Sequence, residues 1–318
     1  MKEIKIESFD KKQLHTYVWD QVNKPLGIIH LVHGSAEHSL RYENFVNYLN
    51  KNGWIVVSSD HRGHGKTASI EDSELGYFAD ENGWETIIND LKIINDYISK
   101  KYEKHKIVII GHSMGSFMAR SYISKYGETI DGAILVGTAI YSNFILNFGK
   151  SFATKNQKKY GSKYIDKFVW KLSYKPLNNK FKKFGKTGAE WLCSDQEVVK
   201  NFVNDQLSGQ IFTSSAFKDL FTGLLEIQTD ESISKIPKNL PIFIISGKED
   251  SVGNFGKGPQ KLQKLYLKNN LNSKIRLYLN MRHEILNEVK KEMVWRDVLD
   301  FLSEIYKKQT KLLPKKVV

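Results

Sequence analysis

The chain has 318 residues, of which 41% are hydrophobic and 26% charged, globular proportions that exclude a wholly disordered or collagen-like chain. Its net charge of +13 comes almost entirely from lysines spread along the chain among acidic residues, without helix-turn-helix, zinc-finger or RNA-binding signatures. That charge reads as a lysine-rich solvated surface, with attraction to acidic substrates or transient contact with an anionic membrane surface as the sharper reading and no nucleic-acid partner expected.

The N-terminal stretch alternates charged and apolar residues and lacks the apolar centre of a secretory signal. No apolar run approaches the ~18 residues of a membrane span, and the single cysteine, Cys193, excludes an internal disulfide. The expectation is a soluble, cytoplasmic protein.

Residues 3–9 and 13–19 alternate in hydrophobicity around Asp10-Lys11-Lys12 and predict an antiparallel hairpin. Residues 26–32 (LGIIHLV) form a nearly continuous apolar run, the pattern of a strand buried on both faces. A helix is predicted over residues 41–50, then a second buried strand at 54–59 (WIVVSS). A long helix over 82–102 places Trp84, Ile87, Ile88, Leu91, Ile94 and Ile98 at helical spacing. Residues 106–110 (KIVII) read as a strand, 113–126 as a helix and 132–137 (GAILVG) as a strand.

From 138 to 240 the alternation stops, and the spacing predicts helices and loops. This segment is read as an inserted cap on a core made of residues 1–137 and 241–318. It holds 16 aromatic residues between Tyr141 and Phe221. Residues 213–228 place Phe217, Leu220, Phe221, Leu224 and Leu225 on one helical face, suited both to packing on the core and to roofing an apolar pocket. Residues 151–190 carry 11 lysines and two acids, read as a solvated face or as a lid touching anionic interfaces. Beyond the cap come a strand at 241–246 (PIFIIS), a helix at 257–267, a strand at 274–279 (KIRLYL) and a final helix over 284–306. Alternating strands and helices predict an α/β fold, a mostly parallel eight-stranded sheet with helices on both faces.

Gly111-His112-Ser113-Met114-Gly115 follows the third buried strand directly and precedes a helix. Gly-X-Ser-X-Gly alone is weak, since this composition supplies about 0.1 copies by chance, but its position is that of a nucleophile elbow, which marks the α/β-hydrolase fold. A sharp strand-to-helix turn needs small flanking residues. It also sets the serine hydroxyl at a helix N-terminus, where a developing anion is favoured. A serine needs a base to take its proton, and in this fold the acid and the histidine follow later strands in that order. Asp250 follows PIFIIS and His283 follows KIRLYL, so Ser113, Asp250 and His283 are the candidate triad. Glu249 and Asp230 remain rival acids. For an oxyanion hole the candidate donors are the amides of Met114 and of Ser35, in the loop after LGIIHLV.

His33-Gly34-Ser35-Ala36-Glu37-His38-Ser39 with Arg41-Tyr42 resembles the HGxGEHSxRY block of monoacylglycerol lipases and lysophospholipases. Asp60-His61-Arg62-Gly63-His64-Gly65-Lys66 is similar to their DxRGHGxS block, Gly111 to Gly115 matches their GHSMG elbow, and the loops at Asp250 and His283 resemble their acid and histidine loops. Two departures stand out: Ala36 for the second glycine of the first block, and Thr67 for a serine. The resemblance implies a cap between the sixth and seventh strands and hydrolysis of a small-molecule acyl ester or lipid through an acyl-enzyme, with no metal and no cofactor. A thioesterase, acyltransferase or small-ester esterase on the same fold, and a non-catalytic binding protein, are the alternatives.

Overall fold

The computed structural model describes residues 1–312, and side chains through Lys307; the last residues of the segment assigned to the core, 313–318, lie outside the described residues. In chain order the elements are β1 (Lys2–Glu7), β2 (Gln13–Trp19), β3 (Gly27–Val32), α1 (Glu43–Lys51), β4 (Trp54–Ser59), α2 (Gly83–Lys101), β5 (Lys106–His112), α3 (Met114–Tyr126) and β6 (Gly132–Val136). Next come α4 (Asn143–Tyr160), α5 (Lys167–Ser173), α6 (Gln196–Asn204), α7 (Ser214–Glu226) and α8 (Asp230–Ser234), and then β7 (Ile242–Gly247), α9 (Lys257–Lys268), β8 (Ser273–Tyr278) and α10 (Lys291–Leu312).

The eight strands form one sheet in the order β1-β2-β4-β3-β5-β6-β7-β8. β1 pairs antiparallel with β2, and β2 with β4; every later pairing is parallel. This is the α/β-hydrolase fold. The period-two geometry of the central strands explains their unbroken apolar sequences. On β5, Ile107 and Ile109 enter the core on the α2, α3 and α9 side, while Val108 and Ile110 enter the core under α1 and α10. Both faces are covered, so both sets of side chains are apolar. No described helix is long and apolar enough to cross a membrane.

Between β6 and β7 the chain adds no strand to the sheet. Its only described bridge there joins Ile165 to Thr213. Asp166, Asp195, Thr213 and Thr229 cap α5, α6, α7 and α8 through side-chain acceptors. α7 does both things its apolar face allows. Gly223 is pressed so closely on Trp84 of α2 that a Cβ there would overlap the indole, while Leu220, Phe221 and Leu224 face a cavity shared with α4 and α5.

One boundary differs from the sequence reading by more than a helical turn. α10 begins at Lys291 and not at 284. In residues 284–290, Ile285 and Leu286 are buried and mimic a helical stripe, but Glu284 and Glu288 turn inward. Glu284 pairs with Arg41. Glu288 accepts from the amides of Arg282 and Ser194, each at 2.9 Å, and from the Ser194 hydroxyl. A continuous helix would break these bonds.

Candidate active site

β5 runs straight into α3 through Ser113, whose φ of 54° and ψ of −120° lie outside the regions normal for a non-glycine residue. Such a conformation costs on the order of 1–3 kcal/mol and persists only when its surroundings over-determine it. They do so here. The Ser113 amide donates to the Val136 carbonyl (2.9 Å), and the Ser113 carbonyl accepts from the Ser116 hydroxyl (2.6 Å) and amide (2.8 Å). The flanking glycines have no alternative: a Cβ on Gly111 would overlap the Gly115 carbonyl oxygen, and one on Gly115 the carbonyl oxygen of Val32.

The structure brings Asp250 and His283 together from the loops after β7 and β8. Asp250 Oδ1 accepts from His283 Nδ1 at 2.9 Å and from the Val252 amide at 2.9 Å; its Oδ2 accepts from the Ser246 hydroxyl at 3.2 Å. Both residues are buried. Neither rival acid is hydrogen-bonded to His283; Glu249 is half-buried, and Asp230 is exposed at the start of α8. With Nδ1 engaged by a carboxylate, His283 presents Nε2, which has no hydrogen-bond partner among the described residues. That nitrogen is available to accept a proton. The His283 ring packs between those of His112 (4.7 Å between centroids) and Trp191 (5.1 Å).

Ser35 and Met114 line the same cavity as Ser113. Met114 is the first residue of α3, so its amide is one of the helix's unpaired donors. The Ser35 amide likewise has no acceptor among the described residues, and its hydroxyl accepts from Tyr174 of the segment following α5 at 3.0 Å. Ala36 sits at φ 55°, the left-handed region that glycine occupies without strain. Its amide donates to His64 Nε2 at 3.1 Å.

Around these loops lies a buried polar frame. Glu37 Oε1 accepts from the Gly34 amide (2.6 Å) and the Tyr42 hydroxyl (2.6 Å), and Oε2 accepts from Arg41 (2.6 Å). Arg41 also grips Glu284 through two bonds of 2.7 and 2.8 Å. Nδ1 of His112 lies 2.8 Å from the Tyr42 oxygen and 3.2 Å from Glu37, and its Nε2 donates to the His283 carbonyl at 3.3 Å. Burial disfavours charge on both His112 and Glu37. Their mutual hydrogen bond outweighs it, raising the His112 pKa and, with Arg41, holding Glu37 well below the usual carboxylate range. An imidazolium that donates through both nitrogens fits this arrangement. His33 and His64 are the opposite case. Burial lowers both pKa values, that of His64 to about 4. Each donates through Nδ1 to a backbone carbonyl and accepts a backbone amide on Nε2, as a neutral ring can.

The second block serves the same loops. Asp60 accepts from the amides of Ser39 and Lys66, both at 2.9 Å. Thr67, where the resembling block has serine, keeps the hydroxyl's role: it donates to the Asp60 carbonyl at 2.7 Å and accepts the His15 amide at 2.8 Å.

Ser113 opens into a cavity of about 390 Å³ walled by apolar side chains, among them Phe117, Leu146, Phe152 and Leu220. Phe148, Ile145 and Leu172 border it and are also exposed, giving the mouth an apolar rim. A second cavity of about 660 Å³ shares Ser35, Tyr174 and Trp191 with the first. Tyr174 and Trp191 had no sequence signal, because both lie between β6 and β7, where no strand pattern or motif marks position. Among the described residues no group of three or more His, Cys, Asp or Glu side chains is placed to hold a metal ion.

A monoacylglycerol lipase of Mycolicibacterium smegmatis is 26% identical over 125 residues, which are 39% of this chain and 41% of that protein. The match therefore spans well under half of that relative's length. A probable lysophospholipase L2 of Haemophilus influenzae is 24% identical over 274 residues, 85% of this chain and 80% of the other. The crystal structure of a thermostable carboxyl esterase from Bacillus coagulans superimposes with a TM-score of 0.88 at 26% identity, covering 96% of this chain and 98% of that one. Residues 23–290 match the Hydrolase_4 family, described as serine aminopeptidase, S33. That span takes in all three loops that meet at the site, and the chain belongs to this family of α/β-hydrolases.

Proposed function

We propose that the protein is a carboxylic ester hydrolase of the monoacylglycerol lipase and lysophospholipase type, acting through Ser113, His283 and Asp250, with residues 138–240 as its cap. The observation that carries the reading is a strained serine lining an apolar cavity, together with a buried histidine that packs on the neighbouring His112 ring, is fixed by a carboxylate and has one ring nitrogen without a partner among the described residues. His283 Nε2 takes the Ser113 proton as Oγ attacks the ester carbonyl, and Asp250 holds the ring and stabilises the imidazolium. The amides of Ser35 and Met114 receive the oxyanion. His283 then passes its proton to the leaving alcohol, and water releases the acid from the acyl-enzyme by the same steps in reverse order. The apolar walls suit an acyl chain.

Ester chemistry is favoured over aminopeptidase chemistry by the cavity linings. A peptide's free amino terminus calls for a carboxylate, and neither cavity at the site is lined by an acidic side chain. A fluorophosphonate probe should label the wild-type protein and not Ser113→Ala. His283→Ala should lower ester turnover at least ~10³-fold, since triad members act as a unit. Equal labelling of Ser113→Ala, or wild-type turnover by His283→Ala, overturns the assignment.

A further inference from the structure

We infer that the ester cleaved here carries an anionic group, a phosphate or a carboxylate, on its alcohol portion, and that this group is held in the lysine-lined cavity beside the apolar one. The inference rests on the ester-hydrolase reading above and adds the chemistry of the leaving group.

The apolar cavity containing Ser113 takes the acyl chain. The second cavity meets it at Ser35, Tyr174 and Trp191. Trp191 packs on His283, the residue that protonates the departing alcohol. Trp191 lies on the wall that both cavities share, so the second cavity is within reach of an alcohol leaving from His283. At about 660 Å³ that cavity is larger than the acyl pocket, and its wall includes Lys171, Lys175, Lys182 and Lys186.

None of these four lysines has a carboxylate within ion-pair distance among the described residues. The surrounding acids are already committed. Asp166 and Glu190, the two acids of residues 151–190, are both buried. Asp166 caps α5 and accepts from Asn156 and Ser214. Glu190 is saturated by Asn178 at 2.6 Å, by the Thr187 amide and hydroxyl at 2.6 and 2.7 Å, and by the Gly188 amide. Asp205, near the opposite wall, is bound by His38, Ser208 and the Leu207 amide. Four exposed cations thus line a concave space; Glu190 behind its wall offsets one of them at most, and the remaining field favours an anion.

Hexanoyl esters, short enough to stay monomeric, separate a bound head group from attraction to an anionic micelle. The test compares kcat/KM for the hexanoyl esters of glycerol, glycerol 3-phosphate and glycerate. The glycerol 3-phosphate ester, the glycerate ester or both should be preferred over the glycerol ester by at least about tenfold at low salt, and the preference should shrink as salt shortens the screening length from ~30 Å towards a few ångströms. Replacing the four lysines by glutamine should bring the ratio towards one, and Lys175→Glu should lower it further than Lys175→Gln. The neutral ester is the internal reference, because a general loss of fold lowers both rates and leaves the ratio.

Lys155→Gln/Lys158→Gln/Lys159→Gln, on exposed lysines of α4 away from this cavity, should keep the ratio. Equal rates on neutral and anionic esters, a ratio that survives the four-lysine variant, or one lost equally in the α4 variant overturns the inference while leaving ester hydrolysis intact. Failure to cleave any of the three, together with absent Ser113 labelling, overturns the hydrolase reading itself.

Discussion

Glu37→Gln tests whether the buried frame holds the site. The carboxylate accepts from Gly34, Tyr42 and Arg41, each at 2.6 Å. A glutamine has one oxygen, so its amide group must face a donor in any orientation. If the oxygen keeps Gly34 and Tyr42, the Nε2 group stands against the Arg41 guanidinium, and a charge-assisted bond worth ~1.5–3 kcal/mol becomes a donor–donor contact. His112 also loses the anion that raises its pKa against the effect of burial. Breaking one partner of a buried pair costs ~3–5 kcal/mol. Arg41 keeps Glu284, so the lower end, about 3 kcal/mol, applies. With an m-value of ~3 kcal/mol/M, at the upper end for small proteins, the urea midpoint followed by tryptophan fluorescence should fall by about 1 M. Turnover should fall at least ~10-fold, because the side chain that holds the Gly34 amide is no longer itself anchored by Arg41. Tyr42→Phe shares the same oxygen, so the double variant should be non-additive by ~1 kcal/mol or more. A midpoint shift under ~0.2 M, or strict additivity, refutes the reasoning.

Ala36→Gly relieves a left-handed alanine at φ 55°, a conformation worth roughly 1–2 kcal/mol against a chiral residue, less the entropy glycine adds to the unfolded chain. Its melting temperature should rise by about 1–3 °C, and a fall would show that the alanine methyl contributes packing that outweighs the strain. Asp219 of α7 is buried with Oδ2 unpartnered among the described residues, and burial pushes its carboxyl up from 3.8 to about 7, against the pull of Lys218 and Lys150 and with the push of Glu81. The unfolded chain ionises first, so stability should fall as pH rises from about 4 to about 7 and level off above, by at most roughly 4 kcal/mol at ~1.4 kcal/mol per pH unit. Asp219→Asn should therefore raise the melting temperature at pH 8 and have little effect at pH 4; an equal effect at both pH values contradicts the burial argument.

The sheet was legible because its inner strands are buried on both faces and so read as unbroken apolar runs. The elbow was legible because glycine is required where Val32 and Gly115 approach, and Asp250 and His283 because each follows such a strand. Choosing Asp250 over Glu249 needed geometry, since alternate residues of the loop point in different directions and nothing local says which one faces β8. The start of α10 was misplaced because Ile285 and Leu286 are buried like helical residues, while the reason they are not helical lies in Arg41, Arg282 and Ser194, far away in sequence. The second cavity was the least legible feature. The lysine count was plain, but the inward turn of Asp166 and Glu190, which leaves those lysines without a carboxylate in ion-pair contact, is a property of packing alone.

The frame around Glu37 also bears on why these blocks are polar at all. Burying Glu37, Arg41, His112 and Glu284 costs several kcal/mol per ion before pairing, and apolar residues of similar size would commonly be as stable. What ions add is direction. Each bond in the frame ends on a loop that carries one part of the candidate site: Glu37 on the Gly34 amide beside Ser35, His112 on the turn that bears Ser113, and Arg41 with the His112 Nε2 on the Glu284–His283 loop. A strained serine stays productive only if its neighbours cannot relax around it. Three loops tied to one charged centre cannot shift independently. The frame is therefore a positioning device, and its disruption should lower turnover in the chain that remains folded.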